Sequence, residues 1–90
     1  MKLYWREHKA GLVLVLEPGQ GEELIVGTLR RTRTGYDALA QSPGYDPSRA
    51  RRGIGGLDDA KAFVESFRPW ELHNGGSEIE VDPQVHPAPE

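Results

Sequence analysis

The chain has no cysteine. That removes disulfides and thiolate metal sites and leans toward a reducing compartment. Long apolar runs are also missing. The longest, LVLVL at 12–16, is far short of the ~20 residues a membrane-spanning helix needs. The opening MKLYWREHK has no apolar h-region, so no signal peptide is expected and the protein is read as soluble and cytoplasmic. Histidines are few: His8, His73 and His86 are scattered, and no pair has metal-ligand spacing. Ser42, Ser48, Ser66 and Ser77 lie in no nucleophile motif, and Asp58–Asp59 are explained by a helix start. No catalytic, cofactor-binding or metal-binding residue is therefore expected, and the chain is read as not an enzyme.

Basic residues are absent from the last fifth of the chain. Residues 1–69 hold eleven Lys and Arg beside nine acids, a net charge of +2; residues 70–90 hold five acids and no base, −5. Ninety residues make one domain with one small core. The reading places that domain at 1–72. The remainder, 73–90 (HNGGSEIEVDPQVHPAPE), is an acidic, Pro/Gly-rich tail, expected to be mostly disordered with a short extended piece at 77–81.

The body reads as strands followed by a helix, so the expected fold class is α+β: a small antiparallel meander of three to four strands with one C-terminal helix packed on one face. The strands are placed at 3–7, 12–16, 24–32 and 36–41, with turns at 8–11, 17–23 and 33–35. In the fourth strand Tyr36, Ala38 and Ala40 share one face and Asp37, Leu39 and Gln41 the other. Residues 42–56 are predicted to hold a helical turn at most, opened by Asp46-Pro47 and stopped by Gly53, or else a mobile loop. In GLDDAKAFVESFRP, Leu57, Ala60, Phe63, Val64 and Phe67 form one apolar stripe. Asp58 and Asp59 suit the first turn, Pro69 ends the helix, and Lys61, Ala62, Glu65 and Ser66 face water. The stripe predicts that Phe63→Asp unfolds the domain.

The strand–strand–strand–helix order, the helix start GLDDAKAF at 56–63, Trp5 near the first strand and the basic third strand together resemble the small DNA-binding domains of the AP2 type and the N-terminal arm-binding domains of phage integrases. The resemblance covers about residues 3–68 and is one of topology. It implies a three-stranded sheet lying in the major groove with the helix behind it, and sheet contacts from Arg6, Arg30, Arg31 and Arg33. The segment GTLRRTRTGYDA and the helix start are also similar to small uncharacterised proteins of actinobacteria and their phages, a similarity that implies no activity.

The candidate contact residues are Arg30, Arg31, Arg33, Tyr45, Arg49, Arg51 and Arg52. Strand alternation puts Arg31 and Arg33 on one face and Arg30 on the other. Two readings follow. In one, a protein partner meets the open sheet face, the sheet edge and the loop at 45–56. In the other, the arginines converge on DNA phosphates or base edges, with Arg49, Arg51 and Arg52 joining from the loop. Convergence favours DNA; arginines on opposite faces favour protein contact, or simply a solvated hairpin end. Trp5 and Tyr36 are read as core, and Trp70 as either packing over the helix end or anchoring a partner. A homodimer through an exposed edge strand stays open.

Overall fold

The apolar run LVLVL becomes the middle of a sheet in the computed structural model, which describes residues 1–19, 21–74 and 78–88. Strand β2 (Gly11–Glu17) pairs antiparallel with β1 (Lys2–His8) on one side and β3 (Leu24–Thr32) on the other. Strand β4 (Gly35–Ala40) continues the meander. The sheet does not stop there. Strand β5 (Ala50–Ile54) pairs antiparallel with β4, and β6 (Glu80–Val81) pairs parallel with β1, giving the order β5-β4-β3-β2-β1-β6. The sequence predicts three to four strands; the sheet has six.

The two additional strands escape the sequence for different reasons. The helical turn expected after Asp46 is present as a 3-10 turn, Pro47–Arg49, with the Asp46 side chain accepting the Ser48 N–H at 3.1 Å. It ends at Ala50, in extended backbone, and the chain then runs on as β5. Gly53, with φ 70°, does not stop a helix. It carries the strand through a shift in register opposite Tyr36–Ala38, where Asp37 Oδ1 accepts its N–H at 3.1 Å. The tail differs from the expectation of disorder in its described part. Residues 80–86 follow β1, through the Lys2–Glu80 and Leu3–Val81 pairs and a bridge between Arg6 and His86.

The helix α1 (Leu57–Ser66) forms where its apolar spacing places it, with Asp58 and Asp59 in the first turn. A four-residue helix, α2 (Glu71–Asn74), follows. Ala60 and Val64 are fully buried, while Leu57, Phe63 and Phe67 are half-buried at the margins of the stripe. Val64 reaches the sheet because β3 offers Gly27 beneath it. A Cβ at Gly27 would lie 2.5 Å from Val64 Cγ1, so any side chain there would lift the helix. One departure from expectation concerns Glu65. It is exposed, yet its Oε2 accepts the indole N–H of Trp5 at 2.9 Å and ties α1 to β1.

Leu3, Trp5, Leu12, Leu14, Leu16, Val26, Leu29, Ala38, Ala40, Ala60 and Val64 make the core between sheet and helix. Burying Leu14, Leu16 or Val26 removes a large side chain from water, worth about 1.5–3 kcal/mol each before entropy. Among the described residues no helix is long and apolar enough to cross a membrane.

Candidate interaction surface

Alternation along the strands fixes what the far side of the sheet carries. Tyr4 and Arg6 of β1, Val13 and Val15 of β2, Ile25, Thr28 and Arg30 of β3, Asp37 and Leu39 of β4 and Ala50 of β5 stand in register there, opposite the helix. Among the described residues no helix lies on this side, and its two halves differ.

Over β1 and β2 the face is closed by side chains. Tyr4, Val13 and Val15 form a second buried cluster. The Tyr4 hydroxyl lies 2.8 Å from Glu17 Oε1 and 3.2 Å from Glu23 Oε2 and donates its proton to that pair. Arg6 Nη1 donates to Glu23 Oε2 at 2.8 Å. The His86 ring stacks on Tyr4 with centroids 4.1 Å apart, and its Nε2 lies 2.7 Å from Asp82 Oδ2. These contacts set the local acidities. Burial, and then the Glu17 and Glu23 carboxylates, push the Tyr4 phenol up to about 12. The hydrogen bond from Arg6 holds Glu23 below the usual carboxylate range. The Gln84 backbone N–H, and then His86, do the same for Asp82.

Over β3–β5 nothing comparable covers the face. Leu39 is 49% exposed and Ile25 40%, both large for apolar side chains on a sheet. Arg30, Arg51 and Arg52 line a shallow depression here with Thr28, Asp37, Ala38, Leu39 and Ala50, Arg51 from the edge-strand position that pairs with core-facing Ala38.

The seven candidate residues of the sequence are not brought together. Arg30 stands opposite Asp37 on the far face, and Arg52 joins it at the depression. Arg31 stands opposite Tyr36 on the helix side, with its guanidinium 6.0 Å from the Tyr36 ring. Arg51 lies 5.0 Å from the Phe63 ring and Arg49 5.3 Å from the Phe67 ring. Arg49 also donates to Gln41 O at 2.7 Å and lies 3.5 Å from Asp46. Three arginines therefore shield the half-buried rings at the margin of α1. Arg33 sits in the hairpin turn, and Tyr45 is 95% exposed in the loop before the 3-10 turn. Trp5 is core and Trp70 packs against the core.

The sequence missed Ile25 and Leu39 as surface residues. Their exposure depends on which face α1 covers, and alternation alone leaves that choice open. Among the described residues no group of three or more His, Asp or Glu is placed to hold a metal ion. Comparison with protein-family models, curated proteins and solved structures returns no match.

Proposed function

We propose that this protein is a non-enzymatic binding module acting through protein–protein contact at the uncovered half of its sheet. One observation carries the reading: the arginines divide between two faces. Arg31, Arg49 and Arg51 are engaged with aromatic rings on the helix side. Arg30 and Arg52 are left beside exposed Leu39 on the other, with exposed Ile25 further along β3 on the same face. Apolar side chains ringed by arginine, with Asp37 as the one acid of the depression, fit a partner surface that is apolar at its centre and acidic at its rim. DNA binding needs several cations converging on one surface, and the division weakens it.

The test is a photo-crosslinking amino acid at Leu39 in the native host, with a second at Ala62 on the exposed side of α1. A protein adduct at 39 but not at 62, lost with Arg30→Glu, supports the reading. No adduct at 39 overturns it. So does a titration with a short DNA duplex that shifts the amides of residues 29–36 and 49–53 and reverses with salt.

A further inference from the structure

The C-terminal segment is attached to the sheet in an unusual way for a structural strand. It is held by backbone: Glu80 N–H donates to Met1 O at 2.8 Å, Asp82 N–H to Leu3 O at 2.9 Å, His86 N–H to Trp5 O at 2.8 Å, and Glu7 N–H to His86 O at 2.9 Å. Of its apolar side chains, Ile79 is half-buried at the margin of the core, whereas the other two stay outside it. Val81 is 63% exposed, and Val85 is exposed as well. An open cavity separates it from α1, lined by Trp5, Leu14, Lys61 and Glu65. Between the Leu3–Val81 pair and the Arg6–His86 bridge, two residues of β1 oppose four of the tail. Pro83, which has no N–H to donate, sits in that bulge, and the Asp82 carboxylate turns the chain by accepting the Gln84 N–H at 2.9 Å.

The side chains of β1 are committed elsewhere. Leu3 and Trp5 belong to the core and Tyr4 to the second cluster. Residues 80–86 thus satisfy the outer row of β1 backbone groups, and Ile79 just before them packs at the margin of the core. Two side-chain features select it: the ring of His86 over Tyr4, and Asp82, which bonds Gln84 and His86 and lies within the field of Lys2.

We propose that the β1 edge is a strand-accepting site for an extended acidic segment of a partner protein, kept closed by residues 80–86 as a built-in occupant. The resident segment is the template for the ligand. It pairs parallel to β1 and carries an aliphatic residue, an acid and a proline in succession, with a flat ring four residues beyond the acid. Joined to the body by a short connection, the resident has an effective concentration on the order of millimolar, so a partner segment enters only by matching or exceeding its contacts.

The experiment uses the full-length chain carrying Asp82→Pro and His86→Ala. These changes remove the Asp82 N–H donor and the ring stack from the resident and leave the β1 acceptor side intact. The probe is a synthetic peptide of residues 78–88 with the native sequence. The peptide is expected to bind the variant at least about tenfold more tightly than the wild-type chain, which is the scale of a lost ring stack plus a hydrogen bond. Amide shifts should centre on residues 2–8. A peptide bearing the same two substitutions should not bind. His86→Ala alone, whose ring is not part of the core, should give a smaller gain of the same sign. Equal affinity for wild type and variants, shifts centred elsewhere, or equal binding of a scrambled peptide would overturn the proposal. Self-association of the variant without peptide capture would also overturn it.

Discussion

At the β1 edge the sheet is finished by the chain's own tail. At the β5 edge it is finished by charge and a bulge: Arg51, Arg52 and the left-handed Gly53. The same contrast runs across the far face. Over β1–β2, Tyr4, Val13 and Val15 are buried under Arg6, Glu17, Glu23 and His86, although no helix covers them. Over β3–β5, Leu39 stands open beside Arg30 and Arg52, and Ile25 stands open further along β3. One sheet therefore uses long polar side chains to close one half of a face and leaves the other half free. The one long helix among the described residues, α1, lies against β3, β4 and β5 on the opposite side.

The largest effect is expected at β2, a central strand buried on both faces of the sheet. Leu14→Ala should cost about 2–5 kcal/mol, and urea unfolding followed by two probes should show both halves melting together. A smaller effect is expected where β1 meets the helix. Trp5→Phe keeps the ring in the core but leaves Glu65 without its indole donor, a loss of about 1 kcal/mol. Leu39→Ser on the open half should stay within about 0.5 kcal/mol, since it removes no buried contact. Equal costs for Trp5→Phe and Leu39→Ser would erase the distinction between the halves.

Acidity sharpens the same comparison. Glu23 and Asp82 are held below their ordinary pKa values, so their stabilisation is complete above the unfolded carboxylate range, near pH 4. It is lost as pH falls through their depressed folded values. Tyr4 works from the other side. Its stabilisation is complete below its unfolded value of 10.0 and is lost as pH rises toward about 12. Amide exchange or denaturation measured across both ranges should find the closed half loosening at each extreme. Arg51→Gln should cost about 0.5–1 kcal/mol through the contact with Phe63, and the smallest expected change is Arg52→Gln, with no measurable effect.

Much of this fold is legible locally. The helix follows from Leu57, Ala60 and Val64, and β1–β4 lie within a residue or so of where apolar content and turn residues place them. Phe63 was assigned more than it holds: it is half-buried under Arg51, and Ala60 and Val64 carry the deepest contacts. β5 was not legible because ARRGI has no apolar alternation and owes its place to Asp37 and the β4 backbone. The extended piece expected at 77–81 contains β6, but its pairing with β1 was not legible, because an acidic, proline-bearing segment reads as uncommitted until its partner strand is known. At the surface, alternation separated Arg30 from Arg31 correctly. It could not show that Arg49 and Arg51 would settle over Phe67 and Phe63, since those pairs form across elements.

The parallel pairing of β6 with β1 also orders events in time. The hairpins β1–β2, β2–β3 and β3–β4 close short loops, whereas Lys2 meets Glu80 only after nearly the whole chain has been traversed. That contact should form last during refolding and open first in the native state. Protons on the Glu80, Asp82 and His86 amides, and on Glu7, should therefore exchange with solvent through a local opening. Those of β2 should wait for global unfolding.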